Sequence, residues 1–150
     1  MVMTISVEEL LAEVVDPEIP VLTIADLGVL RDVAVDDGAV TVTITPTYSG
    51  CPALGVIEED IVSVLTGAGF DRVTVNTVYS PAWTTDWMTE SARQKLNEYG
   101  IAPPTANEPV LCPQCSAGDT TVVSLFGSTA CKALMVCGDC GEPFDHFKAI

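Results

Sequence analysis

The sequence predicts an α/β (α+β) chain in two parts. A compact helix–hairpin–helix–strand–helix domain covers residues 1–102, and a small cysteine-stapled unit covers residues 110–150. Three observations predict this. Between residues 6 and 99, apolar residues recur at helical spacing in some stretches and alternate in others. The stretch IAPPTANEP then breaks all periodicity with three prolines, so residues 103–109 read as a linker. Beyond it, four of the six cysteines stand as two C-x2-C pairs.

Ser6 opens the first helix, because Ser6 and Glu9 have the spacing of a capping box. Val7, Leu10, Leu11, Val14 and Val15 follow at helical spacing, and Pro17 ends the run. DPEIP reads as a rigid turn. Residues 28–36 and 39–46 read as a hairpin turned at Asp37-Gly38, since both residue types tolerate positive φ. Val29, Val33 and Val35 share one face of its first strand, with Arg31 as an exception. Val40, Val42 and Ile44 share one face of its second. A second helix is expected from Cys51–Pro52, because proline suits a first turn. Its stripe is Leu54, Ile57, Ile61, Leu65 and Ala68, with Gly67 and Gly69 as the stop. RVTVNTVYS is a third strand, and residues 88–99 a last helix ended by Gly100.

Composition narrows the function. Six basic residues against 21 acidic ones give a formal charge of -15, which repels polyanions. Binding to nucleic acid and to anionic membranes is therefore not expected. The N-terminus lacks a basic region, and no apolar run is long enough to cross a bilayer. The chain reads as cytoplasmic, where thiols stay reduced and cysteines point to metal or thiol chemistry.

Cys112 and Cys115 in CPQC are followed, after 21 residues, by Cys137 and Cys140 in CGDC. Two thiolates separated by two residues converge on one ion from a tight turn, and two such knuckles supply a closed tetrahedral sulfur shell. This is a zinc-ribbon signature, and it provides the staple that so small a unit needs. Structural zinc is the expected metal, with iron as its competitor. Cys131 reads as a small buried strand residue or an accessory ligand, and His146 as an ordinary residue of the tail.

Cys51 stands alone. At a helix start its thiol would ionise readily, which suits a nucleophile or a soft-metal ligand; the plain alternative is a buried structural cysteine. Catalysis is disfavoured, because the sole histidine lies far off in sequence. Asp16, Glu18 and Asp26 offer carboxylates beside turn-forming residues, where helix-end capping and turn chemistry are the preferred explanation on the residues alone.

DPEIPVLTIADLGVL, a hairpin and TPTYSGCPA together resemble the iron–sulfur assembly factors of the SufT and MIP-type family. CPQC…FGSTACKALMVCGDCGEPFDHFK resembles the extension of its PaaD-like, phenylacetate-degradation branch. The resemblance implies a small mixed sheet with helices packed on it, followed by the zinc ribbon. It further implies a non-enzymatic accessory that helps mature the metal centres of phenylacetyl-CoA epoxidase. The implied partners are the iron–sulfur reductase and the di-iron oxygenase components, with a homodimer as one expected assembly. By position, Cys51 matches the family's loop cysteine, a transient ligand of iron or a cluster. Thr45 and Thr47 match the loop's threonines, and Asp16, Glu18 and Asp26 match supporting loops. The alternative is a non-catalytic subunit that bridges the oxygenase components without handling metal.

Overall fold

The computed structural model describes residues 6–47, 52–105, 109–127 and 129–149. It divides at Trp83/Thr84 into two units.

The N-terminal unit begins with α1 (Val7–Leu11). Its capping box forms as expected: Ser6 Oγ accepts from the Glu9 N–H at 3.2 Å, and the Glu9 carboxylate accepts from the Ser6 N–H at 2.9 Å. The helix is shorter than its apolar spacing suggests. Val14 is buried, but Val15 bridges Thr23, and the Asp16 N–H bonds back to Leu22 O at 2.9 Å. Pro17 biases Asp16 towards extended geometry, which suits these strand-like contacts. A short helix that periodicity does not reveal follows, α2 (Ile24–Leu27). Its signal is the spacing Thr23-x-x-Asp26, a second capping box, followed by Gly28 at φ 78°.

Strands β1 (Leu30–Asp36) and β2 (Ala39–Ile44) form the hairpin, with Asp37 and Gly38 both at positive φ as a two-residue turn requires. A bulge between Leu30 and Asp32 explains why Arg31 breaks the alternation. Leu30, not Val29, takes the place opposite Ile44; Val33 and Val35 lie opposite Val42 and Val40. From β2 the chain crosses through α3 (Leu54–Gly67) to β3 (Arg72–Thr77), which pairs parallel to β2. The sheet is thus mixed, in the order β1-β2-β3. Val40, Val42 and Ile44 on β2 and Ile57, Ile61 and Leu65 on α3 are buried, as their spacing indicates. Ala68 lies outside the helix and is exposed.

Replacing the fully buried Ile61 by alanine removes core atoms that close packing will not refill. The expected cost is about 2–5 kcal/mol. It should appear as a lower urea midpoint for this unit, and an unchanged midpoint would contradict the packing described.

The C-terminal unit opens with a single 3-10 turn at Thr85–Trp87, followed by α4 (Glu90–Tyr99), which ends at Gly100 with φ 94°. Next come β4 (Ile101–Ala102), β5 (Thr120–Ser124), β6 (Lys132–Cys137) and β7 (Pro143–Phe147), in sheet order β4-β7-β6-β5. The expected boundary at residues 103–109 therefore differs from the division in the structure. Ile101 and Ala102 are buried and pair with β7, while the Arg93 guanidinium donates to Pro104 O at 2.8 Å and Thr85 O at 3.3 Å. These contacts join α4 and the proline-rich stretch to the unit that follows them. A short periodicity-free segment marks where the helical pattern ends, not where packing separates.

Candidate metal centre

Each cysteine pair sits on a tight turn closed by backbone hydrogen bonds. In the first, the Ser116 N–H donates to Cys112 O at 2.8 Å and the Cys112 N–H to Ala117 O at 2.9 Å. In the second, the Gly141 N–H donates to Cys137 O and the Cys137 N–H to Glu142 O, both at 3.0 Å. Ser116 and Gly141 take equivalent left-handed positions, at φ 63° and 77°. Gly138 serves a different need. Its N–H meets Asp119 O at 2.7 Å, and an added Cβ would overlap the Asp119 carboxylate. Antiparallel pairing of β5 with β6 sets Thr120 opposite Cys137 and fixes where the second turn begins.

The turns bring all four sulfurs within 4.8 Å of one another. Cys112 Sγ lies 3.7 Å from Cys140 Sγ, and Cys115 Sγ 3.5 Å from Cys137 Sγ. A tetrahedral site with metal–sulfur bonds of about 2.3 Å has sulfur–sulfur edges of about 3.8 Å, so the spacing fits one ion. Cys112 and Cys137 are buried and pack with Ala102, Met135 and Phe144; Cys115 and Cys140 face outward. Backbone N–H groups aim at the inner sulfurs, Gln114 to Cys112 Sγ at 3.4 Å and Cys140 to Cys137 Sγ at 3.5 Å. The Cys140 N–H is the main cause that lowers the Cys137 thiol to about 7. At Cys115 the Ala117 N–H acts downward, but the neighbouring thiols and desolvation outweigh it and push the group up to about 12. Crowded thiols do not all ionise unaided, and a divalent cation supplies the missing charge. The donor set thus fits a closed, four-sulfur structural metal site.

The other singled-out residues lie elsewhere. Cys131 sits half-buried in the turn before β6, its sulfur 3.0 Å from Thr129 Oγ1, and is not part of the four-sulfur group. His146 is not a tail residue. It is buried on β7 with Nδ1 3.3 Å from Ala102 O, and burial lowers its pKa from the usual 6.5. The folded state thus favours the neutral imidazole. The stability this contributes is fully present above pH 6.5 and is lost as pH falls through the lowered folded value. His146→Gln is expected to flatten the acid side of the unit's stability–pH curve, measured by denaturant unfolding. An unchanged acid slope would contradict this.

Asp16 Oδ1 accepts from the N–H groups of Glu18 at 2.7 Å and Ile19 at 3.3 Å, which holds the DPEIP turn. Asp26 is the carboxylate of the second capping box. Thr45 is buried, with its N–H on Val29 O at 2.9 Å, and Thr47 is half-buried. Cys51 lies outside the described residues. The expected helix start at Cys51–Pro52 is corrected: the first helical residue is Leu54, and Ala53 at its N-cap makes no side-chain cap bond.

Residues 6–77 match the family model for an iron–sulfur cluster assembly protein, and residues 99–148 match that for the PaaD zinc beta ribbon domain. The chain is 50% identical over 148 residues to an Escherichia coli (strain K12) protein named as a subunit of a "Putative 1,2-phenylacetyl-CoA epoxidase", covering 94% of this chain and 90% of that one. The chain belongs to the PaaD family. Other relatives match a little over half of the chain. An Fe-S protein maturation auxiliary factor of Porphyromonas gingivalis (strain ATCC BAA-308 / W83) is 42% identical over 89 residues, 58% of this PaaD-family chain and 84% of the relative. The crystal structure of a Domain of Unknown Function, DUF59, from Bacillus anthracis superposes with a TM-score of 0.57 at 32% identity. It covers 60% of this chain and 87% of its own.

Proposed function

We propose that this PaaD-family protein is a non-catalytic accessory that matures the metal centres of a phenylacetyl-CoA epoxidase. One observation carries the reading: an iron–sulfur-assembly unit and a four-cysteine ribbon are joined in one chain that aligns along nearly its whole length with a protein named as an epoxidase subunit. The clients are the iron–sulfur reductase component and the di-iron oxygenase component. Cys51 transiently holds iron or a cluster, with ligands completed by the client. Asp16, Glu18 and Asp26, with Thr45 and Thr47, hold the loops beside it. Cys112, Cys115, Cys137 and Cys140 hold a structural zinc ion. The role calls for ligand exchange at Cys51, in which the incoming ion displaces the thiol proton to solvent, and so needs no dedicated catalytic base.

A maturation factor is needed while its client is made, not afterwards. Epoxidase components co-expressed with this protein should carry more iron and more activity than components expressed without it. Adding the protein to finished, iron-poor components without an iron source should restore neither. Restoration by simple mixing would instead favour a bridging subunit. One observation supports that second reading: Val122 and Val123 on the sheet-edge strand β5, with Leu125 and Phe126 just after it, are all exposed.

A further inference from the structure

The N-terminal unit has a groove of about 610 Å³ between the outward side of α3 and strand β3, lined by Glu58, Glu59, Val62, Ser63, Thr66 and Val75 among others. Three features bear on what it takes. First, β3 is an edge strand, and among the described residues no strand pairs with its outer side. An edge of this kind offers unpaired main-chain donors and acceptors to another extended chain. Second, the groove's apolar surface comes from Val62, which is 39% exposed, and Val75, while Ser63 and Thr66 keep its helical wall low. Third, its charge has one sign. Glu58 and Glu59 line it and no lysine or arginine does. Residues 1–83 hold 13 of the 21 acidic side chains but two of the six basic ones, Arg31 and Arg72. Arg72 stands at the start of β3 with its guanidinium on Asp37 O, whereas Glu58 accepts from Thr77 Oγ1 at the far end. The acidic end of the groove is therefore also the N-terminal end of α3, three residues beyond Cys51 in the chain.

We propose that this groove docks an extended, basic segment of a partner protein. The segment adds as a strand beside β3, sets alternate apolar side chains against Val62 and Val75, and places lysine or arginine against Glu58 and Glu59. This names the partner chemistry of the assembly role and rests on that reading only in taking the partner to be a client protein. The field of the acidic unit would speed encounter, and the association would weaken with salt.

The test uses the whole metal-loaded chain and a labelled peptide, acetyl-Lys-Thr-Lys-Thr-Val-Thr-Val, whose lysines and valines share one face of an extended strand, followed by NMR and fluorescence anisotropy. Expected are saturable binding, amide shifts centred on Val62, Thr66 and Val75, and a Kd that rises with salt. A Glu59→Lys/Val62→Asp double variant should bind at least tenfold more weakly while keeping its dispersed spectrum. The same peptide with glutamate for lysine, or with a central proline, should not bind. Equal binding of the glutamate peptide, or shifts located elsewhere, would overturn the proposal. Shifts at these residues on diluting the protein alone would assign the groove to a second copy of the chain and also overturn it. Cys51→Ser should leave peptide binding intact, and the groove variant should leave Cys51-dependent iron binding intact, so the two readings fail separately.

Discussion

Cys137→Ser is expected to unfold the C-terminal unit while leaving the N-terminal unit folded. Structural zinc sites bind with about 10–16 kcal/mol of apparent free energy at neutral pH, and where the apo state is unfolded that energy is folding energy. A whole domain is stable by only about 5–15 kcal/mol, so losing the ion exceeds what a small unit can spare. The position adds a second loss. Cys137 and Cys112 are each 1% exposed and belong to the same cluster as Met135 and Phe144, whereas Cys115 and Cys140 face solvent. Serine at an inner position thus removes a ligand and places a hydroxyl in the core; serine at an outer position removes only the ligand. Thermal unfolding should order the variants with Cys112→Ser and Cys137→Ser below Cys115→Ser and Cys140→Ser. Strong chelation of the wild type should collapse ribbon resonances and spare those of α3. Persistence of a dispersed ribbon spectrum without metal would show that its apolar cluster suffices alone.

The second large effect concerns Cys51. After anaerobic incubation with ferrous iron and sulfide, the wild-type protein is expected to retain iron beyond that in its ribbon, and Cys51→Ser to retain almost none of this excess. The ribbon metal and the urea midpoint of the N-terminal unit should not change. Equal excess iron in both proteins would remove Cys51 from the metal chemistry. A lowered midpoint with equal iron would return it to the role of a packing cysteine.

Much of the fold is legible in the sequence where local chemistry decides the outcome. The Ser6/Glu9 box, the Asp37-Gly38 turn, the β2 alternation and the two C-x2-C knuckles need only neighbours within a few residues. The sequence misleads where distant partners decide. α2 is four residues long, too short to show a period, and only its capping box marks it. Ile101–Ala102 looks like the end of one domain because its partner strand, β7, lies over forty residues away in sequence. His146 and Cys131 exchange expectations for the same reason: pairing with β6 draws β7 into the sheet, while β6 begins one residue after Cys131. Asp16 and Asp26 show the limit at the candidate site. Turn and capping chemistry are their plain alternatives, and the hydrogen bonds of both carboxylates are of that kind. This is compatible with shaping a loop but does not itself make a ligand.

In the proposed role, this chain delivers metal to its clients through Cys51. The most direct measurement is the iron and labile sulfide content of the epoxidase reductase component, purified from cells that co-express either the wild-type chain or Cys51→Ser. A several-fold lower cluster content is expected with Cys51→Ser, at equal amounts of both proteins and with the ribbon metal retained. Equal cluster content with the two chains would contradict it.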